Sequence, residues 1–195
     1  MHVKRVVGEG VQVCPVPGSK GVALDLFCGT GSVGSQLKKH GFSVVSLDFQ
    51  RSAKATFTVD ILEWDYKKTL EPGHFALIAA GVPCTEYSVV LTTRARNLEH
   101  ADKIVQRTLE SFAYFRPERW WIENPRFGLL KKRDFMIGFK FINVDYCQFS
   151  EWGYKKLPEF GAVSALLNSK VFCVTSEPVT KCTPPLKVRS GTGNA

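Results

Sequence analysis

Two short stretches of this chain could do chemistry together. The first is Gly81-Val82-Pro83-Cys84-Thr85-Glu86-Tyr87-Ser88, which follows an apolar run over residues 75–80. Such a run, bounded by turn residues, reads as a buried parallel strand. The Pro-Cys pair then sets a thiol at the C-terminal rim, where open α/β sheets bind their ligands. A lone cysteine at such a place is most often a packed small residue. The second stretch changes that balance: Trp121-Ile122-Glu123-Asn124-Pro125 ends another strand-like run with a carboxylic acid and an amide. A thiolate and an acid on neighbouring strand ends suit attack on an electron-poor ring that must take up a proton as it is attacked.

The elements that would hold these groups follow a regular beat. Val22–Leu26 is the first strand, and Gly29-Thr30-Gly31-Ser32-Val33-Gly34 turns it into a helix. Ser32 is the expected N-cap, Leu37 faces inward, and Gly41 ends the helix. Strands are expected over 43–47, closing on Asp48, and over 56–59, closing on Asp60, before the strand that carries Cys84. A helix over 99–115 puts Ala101, Ile104, Val105, Leu109, Phe112 and Ala113 on one face. The strand 119–122, a short helix over 131–136 and a strand over 141–146 complete the pattern, which weakens after Pro158. Strand alternating with helix at this pace specifies an α/β fold built on a doubly wound, mostly parallel sheet. We divide the chain into a basic lead-in (1–20), one domain (21–186) and a polar, Gly-rich tail (187–195) expected to fray.

Bulk properties narrow the function class. A formal charge of +8 and a pI near 9.2 favour an anionic partner such as nucleic acid. No apolar run approaches the ~18–20 residues of a membrane span, and the N-terminus has no signal-peptide core. The expectation is therefore a soluble, intracellular protein without a membrane partner, nuclear if the cell is eukaryotic. The six cysteines contain no C-x-x-C pair, which argues against a disulfide framework and a standard zinc site, so no metal is expected.

The glycine loop matches G-x-G-x-x-G, and Asp48 lies at about the ~20-residue offset of a ribose-binding acid. Taken alone these make a dinucleotide oxidoreductase a serious reading. The physics serves any nucleoside ligand, because small residues admit it and the helix N-terminus attracts an anionic group. Phe27, placed to pack a ring on the ligand, and Asp60, placed to accept from an adenine amine, favour S-adenosylmethionine. The bland alternative is that Asp48 and Asp60 merely cap the turns after their strands.

In order and spacing, Asp25-Leu26-Phe27-Cys28-Gly29-x-Gly31, Asp48, Asp60, Pro83-Cys84 and Glu123-Asn124-Pro125 resemble the cytosine-C5 DNA methyltransferase family. The wider runs Pro83 to Ser88 and Asp145-Tyr146-Cys147-Gln148-Phe149-Ser150 are most similar to its compact, phage-like branch. The likeness spans residues 22–156. It implies the Rossmann-like fold of S-adenosylmethionine-dependent methyltransferases, and a reaction in which Cys84 adds to C6 of a flipped cytosine. It implies that Glu123 holds N3 and the exocyclic amine as a protonated acid, with Asn124 shaping its turn. Phe27, Gly29, Gly31, Asp48, Phe49, Asp60, Ile61 and Pro83 would hold the cofactor, which leaves as S-adenosylhomocysteine. Gln148 and either Lys155 or Lys156 would take the place of the family's Gln-x-Arg segment. Lys156 is assigned to the catalytic set, Gln148 and Lys155 to the nucleic acid. Ser88, Arg94, Arg96 and Arg126 are further expected nucleic-acid contacts. Trp120, Trp121 and Trp152 could stack on bases, although strand tryptophans are more often core.

Three departures bear on this reading. Glu86 stands where the family has Gln or a similar residue, Leu157-Pro158 replaces an expected Pro-Thr pair, and no long target-recognition region follows. A partner protein or fused domain could therefore supply sequence specificity. RNA is an alternative substrate. A non-catalytic accessory module is a second alternative, with no evident need of both Cys84 and Glu123. An oxidoreductase leaves both chemical turns unexplained.

Overall fold

The computed structural model describes residues 15–145 and 162–167. Seven strands form one sheet in the order β3-β2-β1-β4-β5-β7-β6. They are β1 (Val22–Leu26), β2 (Ser43–Asp48), β3 (Phe57–Thr58), β4 (Leu77–Gly81), β5 (Arg119–Pro125), β6 (Phe141–Asp145) and β7 (Ala162–Leu167). Pairs β1–β2, β1–β4, β2–β3 and β4–β5 are parallel, while β7 runs antiparallel between β5 and β6. The helices are α1 (Ser32–Lys39), α2 (Tyr66–Thr69) and α3 (Leu98–Phe115).

Central position explains composition. All five residues of β1 are buried, so a strand covered on both faces reads as an unbroken apolar run with one exception, Asp25. On one side Leu24, Leu26, Ile78 and Ile122 join Val105, Phe112 and Phe115 of α3; on the other, Ala23 and Ala79 meet Leu37 of α1. Helix α3 begins at Asn97, whose Oδ1 accepts from the His100 amide at 3.1 Å. It stops at Arg116, which turns left-handed ahead of Pro117.

Several boundaries differ from expectation for local reasons. Gly31, not Ser32, occupies the N-cap of α1, and the third helical amide, that of Gly34, finds its acceptor on Asp25 Oδ2 at 2.8 Å. Strand β3 begins only at Phe57, because the Thr56 amide donates to Ser46 Oγ at 3.0 Å and the Ser46 amide to Thr56 Oγ1 at 3.2 Å, instead of to backbone carbonyls of the ladder. Strand β4 is shifted to 77–81. The short helix expected over 131–136 is two single 3-10 turns, Leu130–Lys132 and Asp134–Met136. Ala113 is exposed, because the buried face of α3 passes instead through Thr108, Ser111 and Phe115. Their hydroxyls are absorbed within the helix, Thr108 onto the Ile104 carbonyl and Ser111 onto that of Thr108. Helix α2 and strand β7 were not anticipated. Among the described residues no helix is long and apolar enough to cross a membrane, and no cluster of His, Cys, Asp or Glu could hold a metal ion.

Candidate active site

Register alone brings the two chemical turns together. Gly81 at the end of β4 pairs with Glu123 of β5, and a side chain added at Gly81 would lie 3.9 Å from Glu123 Oε2. Cys84 follows three residues on, in a turn closed by the Tyr87 amide on the Cys84 carbonyl at 3.0 Å. Both groups are half-buried. Burial pushes the Cys84 thiol up, and the Glu123 charge pushes it further in the same direction. Burial also raises Glu123, so its acid form persists to higher pH than that of an ordinary glutamate.

The nucleophile turn is braced from beneath. Tyr87 is 0% exposed, and its hydroxyl donates to Asp102 Oδ1 of α3 at 2.9 Å. Arg133 grips the same carboxylate with Nε at 3.1 and 3.0 Å and Nη2 at 2.6 Å. The turn after Glu123 is closed by the Gly128 amide on the Pro125 carbonyl at 2.9 Å. The Leu129 amide, on the Tyr87 carbonyl at 2.8 Å, fastens it to the nucleophile turn. Gly128 is needed there, since a Cβ would meet Asn124 Oδ1 and the Pro125 carbonyl at 3.0 Å. Asn124 is buried; its Nδ2 reaches the Val82 carbonyl at 3.5 Å, and its Oδ1 has no partner.

Beside these turns lies a cavity of about 270 Å³, walled by Phe27, Leu47, Phe49, Val59, Ile61 and Pro83, with Asp60, Thr85, Glu86 and the α3 residues His100, Ala101 and Ile104. Phe27 adopts a left-handed backbone at φ 60°, which an L residue occupies only at a cost of order 1–3 kcal/mol. The Cys28 amide on the Leu47 carbonyl at 3.2 Å helps to hold it there. Asp48 accepts from the amides of Gly29 and Gln50, both at 2.8 Å. Asp60 Oδ1 accepts from the Leu62 amide at 2.9 Å.

No protein-family model matches this chain. It is 34% identical, over 146 residues, to a probable DNA (cytosine-5)-methyltransferase of frog virus 3, covering 68% of this chain and 66% of that protein. The chain belongs to the cytosine-C5 DNA methyltransferase family. A type II methyltransferase of Arthrospira platensis is 32% identical over 121 residues, 59% of this chain and 34% of that one. This chain thus spans about two thirds of the length of one relative and a third of the other. A solved structure described as a DNA modification methyltransferase of an Escherichia coli prophage superposes with a TM-score of 0.52. The two are 13% identical, and the match covers 76% of this chain and 46% of that one. At that identity the likeness is one of fold, the Rossmann-like sheet of methyltransferases.

Within this methyltransferase family member, the expected site residues fall in several places. Phe27, Phe49, Asp60, Ile61 and Pro83 share the cavity, and Cys84, Glu123 and Asn124 share the adjoining turns. Gly29 and Gly31 form the left-handed loop into α1 and do not line the cavity. Asp48 is 6% exposed and caps the turn after β2 by accepting the Gly29 and Gln50 amides. Gln148, Lys155, Lys156 and Trp152 lie outside the described residues. Of the expected nucleic-acid contacts, Arg94 is paired with Glu86, Arg96 donates to the Ser88 carbonyl at 2.9 Å, and Arg126 lies over the Phe127 ring. Trp120 packs between Phe112 and Phe139, and Trp121 against the Ala79 cluster, as core residues do. Sequence reasoning missed Thr85, Glu86, His100, Ala101 and Ile104 as cavity walls. The i, i+3 spacing of Ala101 and Ile104 marked an inward face but not what it faces.

Proposed function

We propose that this chain methylates C5 of cytosine in DNA, drawing the methyl group from S-adenosylmethionine and acting through a covalent adduct of Cys84. The observation that carries the reading is the Gly81–Glu123 register, which sets a half-buried acid beside the nucleophile turn. The cavity suits such a cofactor. The Phe49 ring, 62% exposed at its mouth, offers a face for a purine, and Asp60 keeps Oδ2 for an amine. Bound there, the cofactor supplies the electrophilic methyl group.

In this reading Cys84 Sγ, as thiolate, bonds to C6 of a cytosine turned out of its stack. Glu123 donates its proton to N3 as the ring's electrons move, which leaves C5 nucleophilic. After methylation, loss of the C5 proton restores the double bond and breaks the C6–S bond, returning the thiolate. Burial, which raises Glu123, favours the acid form that this donation needs. Donating that proton leaves a carboxylate beside the reacting ring; elimination leaves N3 protonated, and return of that proton to Glu123 gives the neutral product and restores the acid for the next cycle. The family relatives, both named as DNA enzymes or type II methyltransferases, favour DNA over RNA. In this reading a fused domain or a partner protein supplies specificity for a target sequence.

Duplex DNA containing 5-fluorocytosine tests this directly, because a C5 fluorine cannot leave as a proton and traps the adduct. With labelled cofactor, a denaturation-resistant protein–DNA band is expected, absent in Cys84→Ala. A band formed on fluoropyrimidine RNA but not on DNA would refute the substrate and keep the chemistry. No band on either would refute the enzyme.

A further inference from the structure

Glu86 is an acid two residues beyond the nucleophile in a basic chain, and the fold accounts for its charge internally. Arg94 Nη1 donates to its Oε2 at 3.1 Å while Nη2 holds Oε1. The Asn97 amide donates to Oε2 at 2.7 Å. Asn97 is also the N-cap of α3, so this one carboxylate joins the nucleophile turn, the following loop and the start of a helix. Arg96 adds a second tie from the same loop, onto the Ser88 carbonyl at 2.9 Å. The Glu86 side chain is 17% exposed, against 50% for Arg94. The acid is therefore the seated partner, and the arginine reaches over it from the loop.

Glu86 is also one of the residues that wall the cavity, with Thr85 and His100. A two-pronged guanidinium contact fixes geometry as well as charge, so movement of the loop displaces a cavity wall, and a ligand against that wall restrains the loop. Binding equilibria linked in this way affect one another equally in both directions.

We propose that Glu86 is a positioning residue that couples occupancy of the cofactor cavity to the order of the loop over residues 88–97. The proposal rests on reading the cavity as an S-adenosylmethionine site. Arg94 serves this coupling by holding the loop to the cavity wall.

The test uses the full chain, trypsin and S-adenosylhomocysteine. Trypsin cuts after arginine, and Arg96 lies inside the loop, so the rate of cleavage there reports loop order. In the wild type, S-adenosylhomocysteine is expected to slow that cut about 5–10-fold. In Glu86→Gln the cut should be faster without ligand, the ligand should no longer protect, and calorimetry should show affinity weakened by a similar factor. The thermal midpoint and the rates of cutting elsewhere should stay close to wild type, which a general loss of structure would not allow. If Glu86→Gln does not fold, Arg94→Gln, on the exposed side of the pair, gives the same readout. Ligand binding with equal protection in wild type and variant would overturn the coupling alone. A wild type that fails to bind S-adenosylhomocysteine would overturn the cofactor reading, and the coupling with it.

Discussion

Replacing Tyr87 by phenylalanine removes one oxygen from beneath the nucleophile turn and leaves the ring, which is fully buried, in place. The lost bond runs from a neutral hydroxyl to a carboxylate at 2.9 Å. Asp102 is not orphaned, since Arg133 still holds both its oxygens. The expected destabilisation is therefore about 1–2 kcal/mol, toward the lower part of the range for hydrogen bonds to charged groups. Asp102→Ala is the harsher change. It leaves the Tyr87 hydroxyl buried without an acceptor, which costs ~1–3 kcal/mol, and it removes an ion pair with a part-exposed arginine, worth ~0–1 kcal/mol. In the Asp102→Ala background the hydroxyl no longer has a partner, so adding Tyr87→Phe should cost nothing and relieve part of that penalty. The cycle should close with a coupling of at least about 1–2 kcal/mol. Urea unfolding of the four proteins measures this, provided the slopes with denaturant agree. An additive cycle, or a Tyr87→Phe protein indistinguishable from wild type, would refute the brace.

Three further outcomes follow from the site. Glu123→Gln removes the proton donor, so methyl transfer should fall by about 10²–10⁴-fold; a variant as active as wild type would refute the acid's role. Because burial raises the Cys84 thiol first and the Glu123 charge second, iodoacetamide should alkylate Cys84 faster in the variant only at pH values where wild-type Glu123 is ionised. Asp25 is pushed up to about 6, first by burial and then by the neighbouring Asp48 charge, against the opposing pull of the Gly34 amide. Between the ordinary aspartate value near ~4 and about 6 the folded state therefore holds a proton that the unfolded state has lost, and stability falls as pH rises through that window. Asp25→Asn should match wild type in pH dependence below about pH 4 and gain about 3 kcal/mol relative to it above about pH 6; unfolding curves that run parallel from pH 3.5 to 8 would contradict this. Gly34→Ala should destabilise by ~1–3 kcal/mol despite the ~1 kcal/mol that alanine gains in a helix. Its Cβ would meet Asp25 Oδ2 at 3.0 Å and Val44 Cγ1 at 3.3 Å, and a raised midpoint in thermal unfolding would show that these neighbours give way.

The sequence by itself determined which groups could react and on what kind of frame. Strands that lie covered on both faces, such as 22–26, are apolar but for Asp25, and turn residues bound them, so β1, β2 and β4 could be read within a residue or two and β5 within three. Cys84 and Glu123 sit at the ends of two of them, and in a parallel sheet strand ends converge on one rim. What the tertiary structure decided is how far those groups support one another. Strand β7 carries no strong pattern of its own, because it is specified by the two neighbours between which it runs antiparallel. The Tyr87–Asp102–Arg133 brace joins residues 15 and 31 positions apart, and no local periodicity encodes such a contact. By sequence Glu86 is a departure from the family pattern and Arg94 an expected nucleic-acid contact. Only the folded loop shows them satisfying each other. Local propensity and hydrophobic period report on a residue's immediate neighbours and its burial, whereas charge pairing and the packing of loops on helices depend on distances that only the closed sheet establishes.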